Sequence, residues 1–269
     1  MQRTAMPHGS HKSPLVALVT GASRGIGAVI ATQLAERGVR IALHYRDNRE
    51  AAEAALARLP GTGHAIFSAD LAEPAATTHL WRQVINRFAV VDILINNAGV
   101  YVTHPPLSTD YESWQSAWQL TIGANLIGPA NLSFLAAQSM ASRAAPVDAE
   151  FGRGRIVNIS SRGAFRGEPD CPAYGASKAG LNALSQSLAK ALGSRAIYVY
   201  CLAPGWVGTE MAASHLTGPN GPDILAQHPL GRVNRTDEIA NATVYCALDA
   251  PPAMTGSVID VNGASYLRT

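Results

Sequence analysis

The chain has 269 residues, of which 47% are hydrophobic and 15% charged, and this composition excludes a disordered protein. Its 21 basic residues nearly balance 19 acidic ones, so the formal charge of +2 provides no electrostatic footprint for nucleic acid or an anionic membrane surface. The length fits one α/β domain with a full hydrophobic core.

The polar segment 1–13 lacks the apolar stretch of a signal peptide, and we interpret it as a disordered leader before a single domain over 14–269. Gly, Pro or a charge interrupts every apolar run before it reaches the roughly 20 residues of a membrane span. Cys171, Cys201 and Cys246 have neither disulfide-framework nor zinc-site spacing, so we expect no metal and predict a reducing cytoplasm as the compartment.

Continuous apolar runs alternate along the chain with patterns of helical spacing. Such runs predict strands buried on both faces, here at 15–20, 40–45, 64–69, 91–96, 155–160, 197–202 and 257–261. The predicted helices cover 26–37, 49–59, 77–88, 112–143 and 172–193. This alternation predicts a Rossmann-type, doubly wound parallel sheet of about seven strands, with helices on both faces.

Two segments rich in Pro and Gly interrupt the alternation. Residues 144–154 are predicted to form a surface loop without a chemical role. Residues 205–230 are long enough for a lid over a substrate.

The segment Thr20–Gly27 (TGASRGIG) lies where the first strand ends and a helix begins. Glycines there let the backbone approach a pyrophosphate, and the helix N-terminus directs free N–H groups towards it. The alternative is a tight turn without a ligand. The cofactor contacts assigned to this loop are Gly21, Ser23, Arg24, Gly25, Ile26 and Gly27.

The end of the second predicted strand bears on the choice of cofactor. An acidic residue there would bind the adenosine ribose hydroxyls, but the position holds Tyr45, followed by Arg46. Arg46 and Arg24 are expected to converge on a 2′-phosphate, which favours NADP(H) over NAD(H). NAD(H) remains the alternative, because Asp47 is close to the same position. Both arginines could also be solvated surface residues without a ligand.

Two further strand ends belong to the same predicted edge of the sheet. Asp70 follows the third strand and is placed either to accept from an adenine amino group or to cap the next helix. The loop Asn96–Gly99 (NNAG) follows the fourth strand, where open α/β sheets bind their ligands.

Tyr174 and Lys178 stand four residues apart on a predicted helix, which places them on one face. A phenol has a pKa of about 10, and a neighbouring ammonium group stabilises its phenolate and brings it towards proton transfer at neutral pH. Ser161 ends the strand before this helix, and its hydroxyl is placed to stabilise charge on a substrate oxygen.

Together these motifs resemble those of the short-chain dehydrogenase/reductase family, over residues 15–263. The family pattern TGxxxGxG matches Thr20, Gly21, Gly25 and Gly27, and its NNAG is intact. The resemblance implies a catalytic set of Asn125, Ser161, Tyr174 and Lys178, in which the Asn holds a water and the Lys also binds the nicotinamide ribose. It implies cofactor contacts from Tyr45, Arg46, Asp70, Leu71, Asn97, Ala98, Gly99, Tyr174, Lys178, Pro204, Gly205, Val207 and Thr209. It also implies a homodimer or homotetramer.

Within the family, ILAQHPLGR and SVIDVNG resemble segments of 3-oxoacyl-acyl-carrier-protein reductases and similar NADPH-dependent ketoreductases. Arg195 matches one basic position that those enzymes use to dock the carrier, but the other falls on Gly152. Either Arg153 and Arg155 substitute for it, or the carbonyl or alcohol substrate is a free small molecule.

The sequence does not favour hydrolysis or metal chemistry. Gly175–Ala179 (GASKA) misses the nucleophile-elbow pattern of hydrolases, and the histidines show no metal-binding grouping. Four aromatic residues are assigned to the substrate pocket: Tyr101, Trp114, Trp118 and Trp206. For Trp114 and Trp118 the hydrophobic core is an equal alternative. The open alternatives are an NAD(H)-dependent alcohol, sugar or steroid dehydrogenase and a non-catalytic dinucleotide sensor.

Overall fold

The structure is a computed structural model that describes residues 14–268, so the predicted leader lies outside it. Its strands are β1 (Val16–Val19), β2 (Arg40–Tyr45), β3 (Ala65–Ser68), β4 (Ile93–Asn96), β5 (Gly154–Ile159), β6 (Ile197–Pro204) and β7 (Val258–Val261). They form one parallel sheet in the order β3-β2-β1-β4-β5-β6-β7. The predicted Rossmann-type fold is thereby confirmed.

The helices lie on both faces of this sheet. They are α1 (Gly25–Glu36), α2 (Arg49–Ala57), α3 (Pro74–Phe88), α4 (Tyr111–Ile122), α5 (Gly128–Ala141), α6 (Gly163–Arg166), α7 (Pro172–Leu192), α8 (Glu210–Thr217), α9 (Gly221–Ala226) and α10 (Thr236–Val244). A π-helical turn, Gly123–Ile127, joins α4 to α5. The prediction of one helix over 112–143 was therefore incomplete, because periodicity does not reveal a single widened turn.

Alternate residues of each strand point to opposite faces and build two separate cores. Val19 belongs to the core beneath α1 and α10, whereas Leu18 belongs to the core beneath α3, α5 and α7. Both residues are completely buried. Burial on two faces explains why the strands read as unbroken apolar runs in the sequence.

The helical stretch Tyr111–Ala141 has the length and composition of a membrane span, with a mean hydropathy of 1.3. Buried helices of globular folds share these properties, and 44% of the most apolar part of this stretch is buried in the protein. The prediction from the sequence counted a glycine as the end of an apolar run and so found no run of this length. The mean hydropathy of the stretch stays high although it contains Gly123 and Gly128.

The chain changes direction at β1, because the strands that follow β3 continue on the other side of β1. Crevices at the carboxyl ends of strands open at such a reversal. β1 and β4 are neighbours there, and the loops that follow them carry the glycine motif and the NNAG motif. The predicted cofactor residues are thus brought to one edge of the sheet.

Candidate active site

A cleft of about 410 Å³ opens at the carboxyl ends of the strands. Every residue predicted to contact the cofactor lines it except Gly27, which lies against the Gly21 carbonyl instead. Ser161, Tyr174 and Lys178 line the same cleft, so the structure brings the predicted binding and chemical residues together. Asn125 is fully buried behind the wall, which its neighbour Ala124 lines.

The glycine loop is held to the NNAG loop by a compact set of hydrogen bonds. The Thr20 hydroxyl accepts from the backbone N–H of Asn97 at 2.9 Å and of Ala98 at 3.0 Å. The Asn97 side-chain amide donates to the carbonyls of Thr20 at 2.9 Å and Gly21 at 3.2 Å. Asn97 therefore uses its side chain to shape the loop that lines the cleft.

Two glycines of the loop are required by space and by backbone conformation. A Cβ at Gly27 would lie 2.3 Å from the Gly21 carbonyl oxygen and 2.5 Å from Asn97 Nδ2. Gly21 has a φ of +62°, and a Cβ there would lie 2.9 Å from Ala98 Cα. The absence of side chains lets α1 start directly beneath the loop, as a helix that binds a pyrophosphate requires.

His44 is a residue whose role the sequence did not reveal. It is buried at the end of β2, and its Nδ1 accepts from the Gly21 N–H at 3.1 Å. The ring proton is therefore on Nε2, which donates to the Ala69 carbonyl at 3.0 Å. Burial lowers the pKa of His44 to about 4, so the neutral ring links β2, β3 and the glycine loop at physiological pH.

The two arginines expected to converge on a 2′-phosphate each have an acidic partner. Arg24 forms an exposed ion pair of 2.8 Å with Glu210 at the start of α8, and Arg46 forms one of 2.5 Å with Asp47. Both arginines line the cleft. A phosphate group at this end must compete with these carboxylates, which is feasible because exposed ion pairs contribute only about 0–1 kcal/mol.

Asp70 does not cap α3, the alternative role considered for it, because the N-cap residue of α3 is Glu73. Its Oδ1 accepts from the Ala72 N–H at 2.9 Å and closes a turn before α3. The carboxyl group nevertheless borders the cleft beside Leu71.

Tyr174 lies in the first turn of α7 and lines the cleft together with Ser161. We expected Lys178 to bring the phenol towards ionisation, but among the protein's own groups burial dominates and raises the pKa of Tyr174 to about 12. A hydrogen bond from Ser161 partly opposes this rise. Tyr174 is thus a neutral hydroxyl, which is the form that a proton donor requires.

Lys178 lies one helical turn further along, on the same face of α7. Its Nζ is 5.7 Å from the Tyr174 ring centroid and donates to the Ile159 carbonyl at 2.8 Å. Burial lowers the pKa of Lys178 to about 8, so the side chain is a cation at neutral pH.

Asn125 lies within the π-helical turn and closes the cleft from behind. Its side chain accepts from the Val100 N–H at 2.8 Å and donates to the Val100 carbonyl at 2.9 Å. It also donates to the Ser177 hydroxyl on α7 at 3.3 Å. The turn thus ties the loop after β4 to the helix that carries Tyr174.

His104 is a second histidine whose positioning contacts the sequence did not reveal. The buried ring donates from Nδ1 to the Val102 carbonyl at 2.8 Å and accepts at Nε2 from the Ala173 N–H at 3.2 Å. Ala173 immediately precedes Tyr174. The ring therefore fixes the beginning of α7 against the loop that follows the NNAG motif.

Aromatic rings from separate segments gather above Tyr174. Tyr101 packs edge-on against Tyr174 with ring centroids 4.8 Å apart, and it also contacts His215 at 5.3 Å and Trp206 at 6.0 Å. Tyr101 and Trp206 line the cleft, as one alternative proposed. Trp114 and Trp118 do not; Trp114 packs against Trp118 and His104 outside the cleft.

The arginines considered as carrier-docking residues are differently placed. Arg155 is 1% exposed and donates to the carbonyls of Glu150 and Cys246, so its proposed role in docking was wrong. The rings of Phe151 and Tyr200 pack against its guanidinium group and bury it. Arg195 is exposed, but it precedes the amino end of β6, opposite to the cleft within one chain.

Among residues 14–268 the structure shows no group of three or more His, Cys, Asp or Glu side chains suited to a metal ion. Cys171, Cys201 and Cys246 are free and buried.

Comparisons with known proteins agree with this geometry. A family model described as Enoyl-(Acyl carrier protein) reductase matches residues 21–264. The chain is 34% identical to the 3-oxoacyl-[acyl-carrier-protein] reductase FabG of Escherichia coli (strain K12), over 94% of this chain and 97% of that protein. It is also 34% identical to the acetoacetyl-CoA reductase of Rhizobium meliloti, over 93% of this chain and 98% of that protein.

A solved structure gives the same result for the fold. The short chain dehydrogenase from Burkholderia cenocepacia J2315 in complex with NADP has a TM-score of 0.81 and 28% identity, over 95% of this chain and 99% of that one. The names of the relatives and of the family model specify different reactions, but all belong to one family. The chain therefore belongs to the short-chain dehydrogenase/reductase family of oxidoreductases.

Proposed function

We propose that the protein reduces a ketone to a secondary alcohol with NADPH, and that Tyr174 is the proton donor. The observation that carries this proposal is that Tyr174, Ser161 and Lys178 line one cleft, with the Lys178 ammonium 5.7 Å from the Tyr174 ring, and that the glycine loop borders the same cleft. A 3-oxoacyl group or a similar carbonyl compound fits this chemistry, because the names of the relatives specify 3-oxoacyl and acetoacetyl substrates.

The residues present fit a dinucleotide. The Gly21 and Gly27 positions have no space for a side chain, and the first turn of α1 directs its amides at the loop. NADPH, when bound, supplies the hydride to the carbonyl carbon. Ser161 donates a hydrogen bond to the carbonyl oxygen as charge develops on it, and Tyr174 then transfers its hydroxyl proton to that oxygen.

The remaining two catalytic residues act through Tyr174. The Lys178 cation stabilises the phenolate that forms when Tyr174 gives up its proton. Asn125 holds the π-helical turn against the loop after β4 and is placed to order a water on the route by which the phenolate is protonated again. We further propose a cytoplasmic homotetramer or homodimer.

Arg46 gives the first test of cofactor choice. In Arg46→Ala we expect the KM for NADPH to rise about tenfold, because a charge-assisted bond to the 2′-phosphate is lost, while the KM for NADH stays within about twofold. The matched control is Arg58→Ala, an exposed arginine at the end of α2. Equal losses with both cofactors would contradict the assignment of Arg46 to the 2′-phosphate.

The pKa values of the catalytic groups predict one alkaline limb in the pH profile. Lys178 is protonated below its pKa of about 8 and loses its charge above it, whereas Tyr174 keeps its proton up to about pH 12. Ketone reduction should therefore be level between about pH 6 and 7 and fall as pH rises through about 8. The measurement is kcat/KM against pH, and a rate that stays level to about pH 10 would be inconsistent with this role of Lys178.

An alternative is a sensor that binds dinucleotide without catalysis. To separate the two, the protein is mixed with NADPH and a panel of activated ketones and β-keto esters while the absorbance of the reduced cofactor is followed. Consumption of NADPH supports the reductase. Tight NADPH binding by calorimetry with no consumption across the panel supports the sensor.

A further inference from the structure

Two arginine side chains meet at one amide oxygen beside the cleft. Arg162 donates through Nη2 to Gln227 Oε1 at 2.8 Å, and Arg166 donates through Nη1 to the same oxygen at 3.0 Å. Gln227 is exposed at the end of α9, within the predicted lid. A neutral oxygen thus occupies a position between two guanidinium groups, where a carboxylate oxygen would bind more strongly.

The charges of this cluster do not balance within the protein. Arg166 has Glu168 as an ion-pair partner at 3.5 Å, but Arg162 forms no ion pair within residues 14–268. Its other side-chain bond goes to the Ser265 carbonyl at 3.2 Å, again a neutral acceptor. Two guanidiniums and one carboxylate leave one net positive charge.

That positive charge is buried, which makes it unusual. Arg162 is only 2% exposed, and burial, together with the charge of Arg166, lowers its pKa to about 10. Glu168, the one carboxylate that acts on Arg162, is the ion-pair partner of Arg166, so two cations share one negative charge. A buried cation that is only partly compensated is unfavourable, and a ligand carboxylate would supply the missing negative charge.

The cluster is continuous with the reaction centre. Arg162 follows Ser161 directly in the chain, and its backbone N–H donates to the Pro204 carbonyl at 2.8 Å. Arg162 and Glu168 line the same cleft as Ser161 and Tyr174. Arg162 therefore borders the cleft in which a substrate carbonyl oxygen at Ser161 and Tyr174 would lie, and its guanidinium group reaches the adjoining Gln227.

We propose that Arg162, with Arg166 beside it, binds the carboxylate of an oxo-acid substrate whose ketone is reduced at Tyr174. The carboxylate displaces Gln227 from the two guanidiniums and completes the charge balance of the cluster. This inference rests on the proposed function and narrows its substrate class from ketones in general to free oxo acids. A thioester of a carrier protein presents no charge at its acyl carbonyl and would leave Arg162 unpaired.

The test compares each oxo acid with its own methyl ester. The probes are 3-oxobutanoate, 4-oxopentanoate and 5-oxohexanoate, which differ in the distance between ketone and carboxylate. For at least one length we expect the acid to have a kcat/KM at least about tenfold above its ester, since a charge-assisted bond is worth at least that factor. Esters that equal or exceed their acids at every length would overturn the proposal.

Arg162→Gln then assigns the preference to one side chain. The acid-to-ester ratio of kcat/KM should fall by about 10- to 150-fold, the range expected for a lost hydrogen bond to a charged group. Arg58→Gln, a matched change of an exposed arginine, should leave the ratio as it is. A purely structural role of Arg162 as a tether between Ser265 and Gln227 would lower acid and ester turnover equally, and that result would also reject the proposal.

A lid variant provides the test without altering a buried residue. Gln227→Glu places a tethered carboxylate between the two guanidiniums, so the KM for the preferred oxo acid should rise at least about tenfold more than the KM for its ester. Gln227→Leu removes the acceptor without adding charge and should not raise the acid's KM. The same KM shift in both lid variants would contradict competition by charge.

Calorimetry separates failure of this inference from failure of the proposed reaction. Oxo-acid binding to the protein in the presence of NADP is measured for the wild type and for Arg162→Gln. Binding that requires Arg162, without turnover of any ketone, would retain the anion site and reject the reductase. Turnover of neutral ketones without Arg162-dependent binding of any oxo acid would retain the reductase and reject the anion site.

Discussion

In Tyr174→Phe we expect kcat for ketone reduction to fall by about 10³-fold, within the 10²- to 10⁴-fold range of general acid catalysis. The substitution removes the hydroxyl that donates the proton, but it keeps the ring. Tyr101 packs against the ring of Tyr174, and phenylalanine keeps that ring, so the packing above α7 is retained. NADPH oxidation in single-turnover mixing measures the chemical step.

The control for this variant is Tyr245→Phe, which removes an exposed hydroxyl whose contact is the sulfur of Met254. It should retain full activity. Calorimetry should give the same NADPH affinity for the wild type and Tyr174→Phe within about twofold, because the variant keeps the ring that lines the cleft. A Tyr174→Phe variant with kcat within about threefold of the wild type would remove Tyr174 from the proposed mechanism.

Gly27→Ala is expected to have the second largest effect, on both cofactor binding and stability. The new methyl group would lie 2.3 Å from the Gly21 carbonyl oxygen, and backbone must move to admit it. Overpacking of this kind costs about 1–3 kcal/mol, which at about 2–4 °C per kcal/mol for a large domain lowers Tm by roughly 2–12 °C. Displacement of the loop from the α1 N-terminus should weaken NADPH and NADH equally, by at least about tenfold.

Gly193→Ala is the matched control, since a Cβ at Gly193 meets no atom within 4 Å and the backbone there is helical. Its Tm should stay level or rise slightly, because alanine lowers the entropy of the unfolded chain. Calorimetric titration and thermal unfolding of both variants give the two readouts. A Gly27→Ala variant that binds NADPH like the wild type would show that the loop tolerates displacement.

The sheet was predictable because both faces of each strand are buried, which leaves a continuous apolar run in the sequence. The glycine loop and the spacing from Tyr174 to Lys178 were also predictable, because each is a short sequence pattern whose residues act together within one turn of the chain. The ends of elements shifted by one to three residues, as at α3, which begins at Pro74 rather than at residue 77.

Contacts between distant segments could not be predicted in the same way. Nothing in the sequence near His44 or His104 shows that each ring accepts from one backbone amide and donates to one carbonyl. The partners of Arg24 and Arg162 are Glu210 and Gln227, which lie in the segment 205–230, more than 60 residues away in each case. Such pairings depend on how loops meet over the cleft, which periodicity does not encode.

The place of β1 in the sheet has a consequence for how the chain is made. β1 pairs with β4, and the Val16 N–H donates to a carboxyl oxygen of Asp92 at 2.7 Å. One edge of β1 therefore has no partner until residues more than 70 positions later in the chain have been synthesised. Until those residues leave the ribosome, β1 and β2 present an uncovered edge on which other chains can add. Sheets assembled from such distant pairings form slowly, so this edge is exposed to other chains for longer than the edge of a sheet built from neighbouring strands.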